Sequence, residues 1–125
     1  MGTVRTFRDL IAYQRARALS NAVHTFTRSL PQHAQFEIAS QLRRAASSVR
    51  LNIAEGFGVG TNPGMLRHLR IARGSLFETD AAIEQIADIG LGQPSPEIID
   101  LVQETDRVLQ GLIRSLERKA NRPTS

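Results

Sequence analysis

Cysteine and tryptophan are absent from this 125-residue chain, and tyrosine occurs once. Without cysteine there are neither disulfides nor thiolate metal ligands, which excludes a disulfide-stapled secreted fold and fits a reducing compartment. Long apolar runs are missing as well. The opening MGTVRTFRDL has no signal-peptide core, and no stretch approaches the roughly 18 uninterrupted apolar residues of a membrane span. A soluble, cytoplasmic protein is therefore expected. Strand signals are equally scarce, because no segment alternates apolar and polar residues between turn residues.

What is present is a globular composition, 41% apolar and 22% charged, over a length that suits one domain with a real core. We expect a single domain over 1–125, with short flexible ends at about 1–5 and 119–125. Charge is distributed unevenly. Residues 1–73 hold eleven arginines against Asp9, Glu37 and Glu55, a net +8, whereas residues 74–125 hold four arginines and Lys119 against nine acids, a net −4. Arginine forms bidentate contacts with phosphate and carboxylate, so acidic partners are favoured, nucleic acid or protein. Ion pairing within the chain is the plainer use of the same charges.

Helical spacing occurs four times. A first run, about Thr6 to Leu30, stops at Pro31. A second, about Gln35 to Phe57, stops among Gly56, Gly58 and Gly60. Asn62-Pro63 reads as a cap followed by proline at the first helical position, starting a third run to about Ile89. Ser95-Pro96 repeats that signal before a fourth run, whose stripe is Ile98, Leu101, Val102, Leu109, Leu112, Ile113 and Leu116. The expected fold is all-α, an antiparallel up-and-down four-helix bundle. In the first run the apolar residues cover about half the circumference, against an ordinary stripe of about 100°. That excess predicts a second buried contact, self-association being the simplest.

The stretch QLRRAASSVRLNIAEGFG, residues 41–58, is the most distinctive. Ile38, Leu42, Ala45, Ala46, Val49 and Ile53 form its core face, and Gln41, Arg44, Ser48, Asn52 and Glu55 form a polar stripe along the border. Arg43 and Arg50 are expected to point farther out. A border stripe needs hydrogen-bonding partners. Arg44 and Glu55 cannot pair with each other, since eleven residues at helical rise place them roughly 16 Å apart. Their partners should lie on another helix or another chain, and Glu78 on the third helix, beside Gly74, is one candidate for Arg44. Arg67 and Arg70 lie on the outward face of the third run, and the +8 charge of the first 73 residues makes Arg43, Arg50, Arg67 and Arg70 the candidate nucleic-acid contacts.

FRDLIAYQ at 7–14, SLP at 29–31, QLRRAASSVRLNIAEGFG at 41–58 and LRIARGSLFE at 69–78 together resemble the 23S rRNA intervening-sequence family of four-helix bundles. The resemblance implies a cyclic homopentamer. Through the related accessory protein of diversity-generating retroelements, it also implies a nucleic-acid partner or a reverse transcriptase. The positions that carry the family pattern are Gln41, Arg43, Arg44, Ser48, Asn52, Ile53, Glu55 and Gly56, with Ala72, Gly74, Ser75 and Glu78. Two residues depart from it: Arg50 stands where a small residue or proline is common, and Val59 where a basic residue usually follows the glycine.

Catalytic chemistry is not expected. His24, His33 and His68 lack metal-ligand spacing, and the glycines at 56, 58, 60 and 64 follow no strand and precede no Gly-Lys-Ser/Thr. Ser47, Ser48 and Ser75 sit in no nucleophile elbow. The carboxylates Glu78, Asp80 and Glu84 on the third helix read as solvated charges. The sequence thus predicts no metal and no cofactor. It favours a non-enzymatic oligomeric scaffold with a basic surface for RNA or DNA, and the competing reading is a protein–protein adaptor.

Overall fold

The computed structural model describes residues 4–120, beginning with a short 3-10 turn at Phe7–Asp9. Thr6 caps this turn, and Leu10 then breaks it with extended backbone at φ −72°, ψ 126°. Helix α1 consequently spans Ile11–Arg28 rather than starting at Thr6. The turn folds back on α1, with the Phe7 and Tyr13 rings edge to face at 4.7 Å between centroids.

A second 3-10 turn, Gln32–Ala34, follows Pro31 and leads into α2, Ile38–Val59. Gly60 ends α2 in the left-handed region at φ 83°, where glycine is the least strained residue. Helix α3, Asn62–Asp88, starts almost at once. Its cap is Thr61, one residue earlier than expected, whose hydroxyl accepts the Gly64 N–H at 3.2 Å. Helix α4, Pro96–Ala120, opens as expected, with Ser95 Oγ accepting the Ile98 N–H at 3.3 Å. Of the expected flexible ends, residues 1–3 and 121–125 lie outside the described residues. The N–H of Arg5 bonds Asp9 at 2.8 Å, and α4 runs through Lys119 to Ala120.

Contacts between the helices fix their directions. Gln35, just before α2, reaches Thr27 near the end of α1, while Arg50, well along α2, reaches Tyr13 near its start. Ser48 meets Ser75 and Asn52 meets His68 across α2 and α3; Arg70 meets Glu117 and Arg73 meets Asp106 across α3 and α4. In each pair one index rises as the other falls, so neighbouring helices are antiparallel. The described residues form four α-helices in an all-α bundle, and none of these helices is long and apolar enough to cross a membrane.

Leu19, Val23, Leu42, Val49, Ile53, Leu69, Leu76, Ile86, Ile98 and Leu109 are buried between the helices. Thr79 and Thr105 are buried among them, because their hydroxyls return to the Ser75 and Leu101 carbonyls at 2.8 and 2.6 Å. The broad apolar face of α1 is largely used within the chain. Ala12, Ala16, Leu19 and Val23 enter the core, and Ala18 and Ala22 are half-buried in the groove beside Ile98 of α4. Ile11 remains 55% exposed, so α1 presents much less unused apolar surface than its spacing predicts.

Candidate nucleic-acid interface

Helices α2 and α3 approach closely where glycine replaces a side chain. A Cβ on Gly56 would lie 2.9 Å from His68 Cβ and 3.3 Å from the Met65 carbonyl, and one on Gly64 would collide with Val59. Beside this contact runs a chain of polar groups. Ser48 and Ser75 share a hydrogen bond of 2.8 Å, and Asn52 Nδ2 donates to the Ser48 carbonyl at 2.9 Å and its hydroxyl at 3.1 Å. Asn52 Oδ1 meets His68 Nδ1 at 3.1 Å, and Glu55 lies 3.4 Å from that same nitrogen. With Nδ2 facing Ser48, Oδ1 is the acceptor, and His68 presents a proton on Nδ1. The imidazole thus meets an amide and a carboxylate rather than either serine hydroxyl. This geometry sets the register of two helices.

The border stripe therefore divides. Ser48 and Asn52 are half-buried and satisfied between helices, whereas Gln41, Arg44 and Glu55 are exposed. Glu78 is exposed too, and among the described residues neither Arg44 nor Glu78 has an ion-pair partner.

The arginines reverse the expected exposures. Arg43 is half-buried, donating to the side chain and the carbonyl of Gln35, both at 3.3 Å. Gln35 is itself fixed by bonds to the Thr27 and Leu30 carbonyls at 2.8 and 3.0 Å. Arg50 donates to the Tyr13 hydroxyl at 2.8 Å, its guanidinium 5.4 Å from the ring centroid. Arg70 is exposed but bonded to Glu117 at 2.8 Å, and Arg67 is exposed. Arg50 occupies the α1–α2 seam and Arg70 the α3–α4 seam, on opposite sides of the bundle. The four candidates do not form one patch.

A different basic region emerges from the topology. The start of α1, the end of α2, the start of α3 and the end of α4 share one end of the bundle. That end carries Arg5, Arg8, Arg67, Arg70, Arg114, Arg118 and Lys119, all exposed, against Asp9, Glu55 and Glu117. The opposite end gathers Glu37, Glu84, Asp88, Glu97 and Asp100 around Arg28. At the basic end the α3–α4 seam opens into a groove of about 420 Å³ lined by Arg70, Arg73, Phe77 and Arg114, with Ile113 in its wall. Arg73 is held there by Asp106 at 2.9 Å and lies 4.7 Å from the Phe77 ring centroid. Arg114, Arg118 and Lys119 were missed because spacing along one helix does not say which helix ends meet.

The family model described as 23S rRNA-intervening sequence protein matches residues 8–114. The chain belongs to this family. No curated protein matches it in sequence. The span matched to the 23S rRNA-intervening sequence family includes the whole polar chain between α2 and α3 and the groove residues through Arg114. Arg118 and Lys119 lie beyond it.

Proposed function

We propose that this member of the family is a non-enzymatic, self-assembling scaffold that holds RNA or DNA through phosphate contacts at its basic end. The observation that carries the reading is the convergence of Arg67, Arg70, Arg114, Arg118 and Lys119 from two helices onto one end. Such a cluster attracts the phosphate backbone regardless of base identity, by neutralising phosphates and releasing counterions. Arg43 and Arg50, engaged inside the bundle, leave the interface and become structural. Self-assembly in the ring of five that the family resemblance implies would repeat the basic end once per subunit, so that individually weak contacts add.

The test is fluorescence anisotropy of a labelled single-stranded RNA at low salt, comparing the parent with Arg70→Ala/Arg114→Ala/Arg118→Ala. Binding should weaken by at least about tenfold while assembly is retained. No binding by the parent at low salt would move the function to a protein–protein adaptor, for example for a reverse transcriptase.

A further inference from the structure

Aromatic side chains are few in this chain, yet the Phe77 ring is 50% exposed and lines the groove between α3 and α4. A single exposed apolar residue is ordinary on a protein surface. The setting of this one is unusual. The Arg73 guanidinium lies 4.7 Å from the ring centroid and is pinned by Asp106 at 2.9 Å, so the ring carries a fixed cation beside it. Gly74 leaves room in the same groove, since a Cβ there would meet nothing within 4 Å. Gln110, half-buried on α4, adds an amide that both donates and accepts hydrogen bonds.

Arg70 and Arg114 line the groove nearer the basic end. Seven residues separate Arg70 from Phe77, two helical turns or roughly 10 Å of rise, and the long arginine stem shortens that gap. Arg70 is held by Glu117 at 2.8 Å, whereas Arg114 has no ion-pair partner among the described residues. Within about 420 Å³ the groove therefore offers a π face, an amide and, toward its mouth, an uncommitted cation.

We propose that this groove takes one unpaired nucleotide of a bound strand, its base stacked on Phe77 and its phosphate at Arg114 and Arg70. The proposal rests on the phosphate reading above and adds to it a preference for single strands. A nucleotide is a flat π plate with polar edges joined to an anion, and the groove holds the complement of each part. In a duplex both faces of a base are covered by its neighbours, so a base reaches the ring only by leaving the stack. Stacking accepts every base, because each has a π face, and the groove accordingly selects strandedness rather than sequence. An acidic peptide would satisfy the arginines but bring no such plate to the ring.

The experiment is fluorescence anisotropy on the full chain at low salt with two labelled strands of equal length: oligothymidylate, and an abasic strand that keeps every phosphate and lacks every base. The parent should bind oligothymidylate at least about fivefold more tightly. Phe77→Ala, which removes the ring, and Gly74→Leu, which fills the space in the groove, should bring the two affinities together. Neither should change the salt slope, because neither removes a phosphate contact. Circular dichroism checks that both keep their helices, and Gly74→Leu has helix propensity in its favour. In this tryptophan-free chain, Phe77→Trp places a single indole in the groove, and oligothymidylate should quench its fluorescence far more than the abasic strand does. Equal affinity of the parent for the two strands would overturn the nucleotide groove and leave phosphate binding standing. A preference that survives Phe77→Ala would also overturn it, by putting the base elsewhere, and no binding of either strand would overturn both readings.

Discussion

Asp9 accepts the backbone N–H groups of Thr6 at 3.0 Å and Arg5 at 2.8 Å. These two bonds, the one from Thr6 foremost, favour the charged carboxylate and hold its pKa below the ordinary value. The contribution is complete above the unfolded pKa of about 3.9 and is lost as pH falls through the lower folded value. The Thr6 and Arg5 amide resonances should therefore titrate with a midpoint below the ordinary aspartate value, and Asp9→Asn should abolish the transition. A midpoint at or above the ordinary value would show that the turn is not held this way. At the same scale, the roles of Arg43 and Arg50 were not legible in the sequence. Periodicity places both outward, but their partners come from outside α2: Gln35 in the preceding connection and Tyr13 on α1. A guanidinium on a long apolar stem bends to such an acceptor, and spacing along one helix cannot register it.

At the scale of helices, α2 and α3 pack through glycine, and two glycines should answer substitution with opposite signs. Gly56→Ala gains helix propensity of about 1 kcal/mol but presses a methyl group against His68 and the fixed Met65 carbonyl, a strain of about 1–3 kcal/mol. Gly74→Ala makes the same propensity gain with no neighbour within 4 Å. Urea denaturation should find Gly74→Ala more stable by about 0.5–1 kcal/mol and Gly56→Ala less stable than the parent. Equal stabilisation by both would contradict the close approach. The helices themselves were largely readable. Leu42, Val49, Ile53, Leu69, Leu76, Leu109 and Ile113 fall in the core where their spacing puts them, and the Gly60 stop and Ser95-Pro96 start stand as expected. Three features escaped. Thr79 and Thr105 are polar residues outside the apolar stripes, yet a hydroxyl that bonds its own helix carbonyl can be buried. The Leu10 break escaped because apolar spacing continues through it, and the α3 cap shifted to Thr61, since Asn62 and Thr61 are both good caps.

Across the whole molecule, folding converts a charge asymmetry between sequence halves into one between the ends of the bundle. Antiparallel neighbours largely cancel their helix dipoles, so the side chains dominate the remaining field. Arg5 and Arg8 join Arg67, Arg70, Arg114, Arg118 and Lys119 at one end, although the last three lie in the half whose net charge is −4. Half-by-half charge counting could not locate this region, which needs the up-and-down order of the helices. The measurement that tests the central claim most directly is the salt dependence of RNA affinity for the parent, for Arg70→Ala/Arg114→Ala/Arg118→Ala at the basic end, and for Arg28→Ala at the acidic end. Affinity of the parent should fall linearly on a log–log plot against salt. The basic-end variant should lose roughly 0.7 in slope for each single-strand phosphate contact removed, and Arg28→Ala should follow the parent. Identical slopes for all three proteins would contradict phosphate binding at the basic end.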